Sequence, residues 1–307
     1  MRTRERFMLD KRNLTMGASV VVLAAALAAG SASAQSFDTS AIAVDETLAA
    51  RVPADIKEAG VLVGGSDNAY APWEYLAGDD GQTPEGIDID LMNALTAKLG
   101  LTYESRTADF SSILPALGTN YDVGVSAFSI TNERMNVVNF VTYANTGSEW
   151  GVKAGNPTGF DPADYCGRVI ALQSGTWHEE QLTAYNEACV AAGKPAAELL
   201  PFALQTEATT RVAAGGADAT ISGAATIGYA AMQSGGTIET MKAPDGVFAT
   251  TAPVGIAVTK ADTELTQLIA DTLNAMIDDG TYQAVLDHWG VGSMALEEAV
   301  INPEVDH

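Results

Sequence analysis

From Ile56 onward, short apolar runs alternate with helical stripes. Val61-Leu-Val63 runs into Gly64-Gly-Ser-Asp67, the pattern of a buried strand feeding a loop. Tyr70-Ala-Pro-Trp73 predicts a loop, because Pro72 has no N–H to donate and restricts its neighbour. Leu91, Leu95 and Leu99 recur every four residues ahead of Gly100, which predicts a helix over about 88–99 with a glycine stop. Leu101-Thr-Tyr103 predicts a strand, 111–117 a short helix limited by Pro115, and Asp122-Val-Gly-Val125 another buried strand. That order is β-α-β-α-β, the signature of a mostly parallel sheet flanked by helices. A second such unit begins at Val169-Ile-Ala-Leu172, turns at Gln173–Trp177 and continues as a helix to about Ala192. A helix to Gly215, the strand Asp218–Ile221 and a small-residue helix over 227–233 complete it. Leu265, Leu268, Ile269, Leu273 and Met276 predict a helix to Gly280, and Tyr282, Val285, Leu286 and Trp289 a last one.

Two extended segments, Glu149–Val152 and Thr251–Val258, are placed to carry the chain out of the first unit and back. The expected fold is therefore α/β with two lobes: residues 50–148 together with 253–302, and residues 152–250. A cleft between them would close by a hinge around a ligand. Ligands on such sheets sit beyond the carboxyl ends of the strands. The loops Asp67–Trp73, Asp109–Ser112 and Ser126–Arg134 would share that edge. Residues 35–45 and the polar tail are expected to pack loosely.

The beginning of the chain does not belong to this pattern. Five basic residues lead into an apolar run from Met16 to Ala29, and Ala32-Ser33-Ala34 precedes Gln35. This is the layout of a cleaved secretory signal peptide over residues 1–34. The expected location is the periplasm, as a soluble monomer. The whole chain carries a net charge of −23, which opposes binding to nucleic acid or to an anionic membrane face. The carboxylates are scattered rather than grouped like metal ligands, so no metal and no cofactor are expected. Cys166 and Cys189 are the two cysteines. In an oxidising compartment such a pair forms a disulfide; a zinc pair is the rival reading, with only three histidines in the chain to complete it.

The stretch Ser126-Ala-Phe-Ser-Ile-Thr-Asn-Glu-Arg134 carries the most specific chemistry. Hydroxyls, free backbone N–H groups and one guanidinium converge there, as an anion site requires. The planar fork of arginine suits a carboxylate. A capped helix start with a solvated arginine accounts for the same nonamer. His178 reads as a solvated first-turn residue. Asp88 and Asp90 read as solvated or capping groups, with Asp90 also placed to brace the cleft loop.

Six segments in this order resemble the extracytoplasmic solute-binding proteins of polar amino-acid ABC transporters, family 3. They are Tyr70-Ala-Pro-Trp-Glu74, Gly86-Ile-Asp-Ile-Asp-Leu91, Asp109–Pro115, Ser129–Arg134, Gln173–Thr176 and Asp278–Tyr282. The resemblance implies the type II periplasmic-binding-protein fold and capture of a small carboxylate-bearing zwitterion. It implies transient partners, an ABC permease and its ATPase. Arg134 would bind the ligand carboxylate, with Ser129, backbone at Ser126 and Ala127, and Thr176 and Gly175 from the other lobe. Tyr70 and Phe110 would pack on the ligand side chain, and Trp73 would be ligand wall or core. Asp67 and Gln173 would meet the distal end, and Trp177 fills a place that is usually small. The family's amine-binding Asp is replaced by Gly223; Asp67 or Glu149 could take its place, the amine could instead be methylated and held by an aromatic cage of Tyr70, Trp73, Phe110, Phe128 and Trp177, or the ligand could have no amine. Other readings are a cyclic compatible solute, a sensor input protein, or a dehydratase-like enzyme of the same fold using Glu149 or Glu74 as its acid or base. No catalytic triad is visible, and binding without chemistry is the expectation.

Overall fold

The computed structural model describes residues 36–243, 248 and 251–306; the signal-peptide reading of residues 1–34 lies outside them. In chain order the elements are α1 (Glu46–Ala49), α2 (Ala54–Ala59), β1 (Val61–Ser66), β2 (Ala69–Tyr70), β3 (Glu74–Ala77), β4 (Thr83–Glu85), α3 (Ile87–Lys98), β5 (Thr102–Thr107), α4 (Phe110–Ile113), β6 (Val123–Ser129), α5 (Asn132–Met135) and β7 (Val138–Thr146). There follow β8 (Ser148–Lys153), β9 (Val169–Gln173), α6 (Trp177–Ala191), β10 (Glu198–Phe202), α7 (Gln205–Ala213), β11 (Ala219–Gly223), α8 (Ala224–Gln233), β12 (Ile238–Lys242), β13 (Ala252–Thr259), α9 (Thr263–Asp278) and α10 (Thr281–His288).

Two five-stranded sheets form the lobes, in the orders β5-β1-β6-β13-β7 and β10-β9-β11-β8-β12. Each is three parallel strands extended by two more through antiparallel pairings. The same side-chain device sets the register in both. Asp122 takes the N–H of Val63 at 2.8 Å, and Asp218 takes the N–H of Val169 at 2.8 Å. Each aspartate thus ties the foot of the third parallel strand to the first. This is the α/β, type II two-lobed architecture.

The helix with the Leu91–Leu95–Leu99 stripe is α3, and Gly100 follows it with φ +70°. Those leucines are buried with Leu273 and Met276 of α9 and Val285 and Leu286 of α10 in one apolar cluster. Burying each such side chain is worth about 1.5–3 kcal/mol. A separate cluster around Trp150, Ile170, Leu172 and Leu182 serves the second lobe.

Several expectations change. Glu149–Val152 is not a bare crossing but part of β8, paired with β11 and β12. Thr146 still pairs with Ala252 and Ser148 already pairs with Gly223, so the outward crossing narrows to Gly147. Residues 36–45 are not loose: Phe37 N–H donates to Asp90 at 2.9 Å and its ring meets His288 edge-on at 5.9 Å. Trp289 donates to the same Asp90 oxygen at 2.9 Å, so Asp90 ties the start of this segment to the last helix rather than bracing the cleft. The tail also docks, through an Ile301 bridge to Val141 and Asn302 side-chain bonds to Phe140 N–H and Asn139.

Cys166 and Cys189 are bonded, with 5.7 Å between their Cα atoms. The bridge staples the approach to β9 onto the end of α6. Closing a loop with a separation of 23 residues is worth about 3 kcal/mol in the chain-entropy view. Changing both cysteines to serine should lower unfolding free energy by about that amount and leave ligand affinity unchanged, as urea unfolding and titration will show.

Candidate functional site

The carboxyl ends of β1 and β6 in one lobe face those of β9 and β11 in the other, as the connections require. The three loops expected to share an edge do so. Asp67 N–H donates to Ser126 Oγ at 3.1 Å, and Phe110 stacks on Phe128 with ring centroids 4.8 Å apart.

The lobes touch directly across this edge. Arg134 donates through Nη1 to the Ser129 carbonyl at 2.8 Å and through Nη2 to the Gly175 carbonyl of the opposite lobe at 2.9 Å. Gln173 Nε2 donates to Asp67 Oδ2 at 3.0 Å. The Tyr70 hydroxyl lies 2.6 Å from Ser222 Oγ and accepts the Gly223 N–H at 3.1 Å.

Arg134 is half-buried, its guanidinium 5.7 Å and 5.9 Å from the Phe110 and Phe128 ring centres. Desolvation pushes its pKa down to about 10. Both its hydrogen-bond acceptors are neutral carbonyls, and none of the four ion pairs within 4 Å among the described residues includes it. Glu180 and Glu133 act on it from a distance, but a desolvated cation with no carboxylate bonded to it is an incomplete site. Asp67 is the opposite case. It is 2% exposed, its Oδ1 has no hydrogen-bond partner, and burial pushes its pKa up to about 6 against the lowering bond from Gln173.

Some expected donors are already engaged. Ala127 sits in the left-handed region at φ +43°, and its N–H donates to Asp88 Oδ2 at 3.0 Å rather than facing the cleft. Thr176 caps α6: its hydroxyl donates to the Gln173 carbonyl at 2.9 Å and accepts the Glu179 N–H at 3.3 Å. Gly175 has φ +74°, and a Cβ there would stand 2.8 Å from Ser111 Cβ of the first lobe. Only glycine combines that backbone with so close an approach. Gly175→Ala should hold the lobes apart and weaken ligand binding by about 10-fold, measured by calorimetry.

The aromatic positions divide. Trp73 and Phe128 are 1% exposed and Trp177 4% exposed, all within lobe cores. Trp73 packs edge-on to Tyr143 and Trp177 edge-on to Phe248. The five-ring cage therefore reduces to Tyr70 and Phe110. His178 is not solvated: it is buried, lies 2.9 Å from Ser148 Oγ, and has its pKa pushed down to about 3 by desolvation and then by Arg134.

A family model for bacterial extracellular solute-binding proteins, family 3, matches residues 62–292. The chain belongs to that family. Among its relatives is the arginine-binding protein ArgT of Corynebacterium glutamicum, 31% identical over 260 residues, which span 84% of this chain and 83% of that one. The L-arginine-binding protein of Pseudomonas aeruginosa is 27% identical over 234 residues, 73% of this chain and 86% of its own. An ancestral arginine-binding protein solved with arginine superposes with a TM-score of 0.66 at 29% identity, covering 75% of this chain and 98% of that one. These family members are binding proteins for amino acids.

Sequence reasoning missed three participants. Ser222 meets Tyr70 across the cleft but looks like any strand-end serine. Ser148 gave no sign of its partner His178. Asp88, read as solvated or capping, is fully buried; its alternation with Ile87 and Ile89 held the only hint.

Proposed function

We propose that the cleft captures an amino acid, with its carboxylate on Arg134 and its cationic group on Asp67, and delivers it in the periplasm to an ABC permease and its ATPase. The observation that carries this reading is a pair of incompletely partnered charged groups at one cleft, the half-buried Arg134 and the buried Asp67. Arg134 lacks an anion, and Asp67 Oδ1 lacks a donor. A zwitterion supplies both, and charge-assisted bonds of this kind are the strong ones. Gly223 offers no carboxylate; of the two replacements, Asp67 and Glu149, Asp67 is the one with a buried oxygen lacking a donor, whereas Glu149 already feels the charge of Lys242.

A cavity outside Arg134 is lined by Glu133, Glu179, Glu180 and Glu187. A bond to the Glu133 carboxyl raises the pKa of Glu180, so the two lobes bring acidic groups together at this rim. Such a rim favours approach of a cation. Arginine is thus the first ligand to try, as the names of the relatives also suggest. A thermal-shift screen of the common amino acids, betaines, ectoines and polyamines tests the reading. Stabilisation by arginine or another cationic amino acid supports it; a response to betaines or polyamines alone removes it.

A further inference from the structure

Beneath the cleft edge lies a carboxyl pair shut off from solvent. Glu74 is fully buried at the start of β3, and Asp88 fully buried in the first turn of α3. Asp88 has donors for both oxygens: Tyr143 Oη gives to Oδ1 at 2.7 Å and Ala127 N–H to Oδ2 at 3.0 Å. Glu74 has one, the Ser126 hydroxyl on Oε1; its Oε2 is buried without any donor. The other polar groups facing the pair are Tyr103 from β5, Asp67 from the end of β1 and Tyr70 from β2. None of these is a cation. Two adjacent buried carboxylates without a counter-charge cannot both ionise.

We propose that Glu74 is a positioning residue for the ligand site, held as the neutral acid with its Oε2 proton donated to the Asp88 carboxylate. The proton belongs on Glu74 because Asp88 already has two donors for its negative charge and Oε2 has none. Burial and the Asp88 charge raise the pKa of Glu74 well above the ordinary value, in the same sense. One arm of the pair fixes Ser126, which in turn accepts the Asp67 N–H. The other arm fixes Asp88, which holds the left-handed Ala127 turn in place. The shape of the edge that carries Asp67 and Ser126–Arg134 thus depends on one buried proton. Loss of that proton sets two carboxylates against each other and spreads the turn.

The role in binding rests on the amino-acid reading above, but the proton itself can be tested without a ligand. Infrared spectra of the wild-type protein at pH 7.5 should contain the carbonyl stretch of an un-ionised carboxylic acid, shifted in heavy water and absent in Glu74→Gln. Glu74→Gln keeps both hydrogen bonds, because its amide donates to Asp88 and its oxygen accepts from Ser126. Its arginine affinity should stay within about 3-fold of wild type, while Glu74→Leu, which strands Ser126 and Asp88, should lose about 10-fold or more. Wild-type affinity should fall on the alkaline side, and that fall should vanish in Glu74→Gln. The proposal is overturned if the wild-type acid band is absent, if the band disappears in Asp88→Asn but persists in Glu74→Gln, or if Glu74→Gln binds as weakly as Glu74→Leu. If no amino acid binds the wild type, the infrared result still decides the proton.

Discussion

Arg134→Ala should weaken binding of L-arginine by about 100-fold or more, because it removes two charge-assisted hydrogen bonds to the ligand carboxylate. Calorimetric titration measures this directly. The fold should survive. The two carbonyls that Arg134 now serves, Ser129 and Gly175, face each other across the cleft and can be solvated when it opens. Arg134→Lys should fall between the two, because it retains the charge but loses the fork that engages both carboxylate oxygens. Removing the guanidinium also uncovers Phe110 and Phe128, so a modest loss of stability belongs to the same variant.

The second large effect concerns pH and Asp67. Burial raises its pKa to about 6 from the ordinary value of 3.8. The folded, unliganded protein therefore holds this proton more tightly than the unfolded chain does. The stability it provides is fully present below about pH 4 and is lost as pH rises through about 6, on the order of 3 kcal/mol. Asp88, raised in the same direction mainly by burial, acts with the same sign. A cationic ligand reverses the balance, since it pairs with the ionised form of Asp67. Ligand affinity should accordingly rise over the interval in which the empty protein loses stability. Asp67→Asn should flatten the first effect, leave the unliganded protein at least as stable at pH 7.5, and weaken arginine about 10-fold or more. Thermal unfolding and titration across pH 4 to 8 separate these outcomes.

The strands and helices that the sequence revealed are those whose side chains repeat with one period. Val61–Val63 is an apolar run and α9 has one apolar face, and periodicity finds both; the leucine stripe of α3 is just as visible, although that helix is buried on nearly every side. Strand β10 was hidden because Glu198–Phe202 includes Pro201, which an edge strand tolerates and a central one does not. The hairpin strands β2 to β4 are only two to four residues long, too short for any alternation to register. The position of Arg134 between the lobes was legible: it bonds the carbonyls of Ser129 and Gly175. The aromatic positions were not, because a tryptophan just before a strand or at the start of a helix looks the same whether it turns into a core or out to a ligand. Trp177 and Trp73 turn inward. Burial of Glu74 and Asp88 was equally hidden. A carboxyl survives inside a lobe only through partners distant in sequence, such as Ser126, Ala127 and Tyr143.

The most direct test compares L-arginine with agmatine, the same cation without its carboxylate, in one calorimetric titration. If Arg134 takes the ligand carboxylate, arginine binds, and agmatine binds about 100-fold more weakly or not at all, because Arg134 then has no anion to complete it. Agmatine binding as tightly as arginine, or no amino acid binding at all, would contradict it.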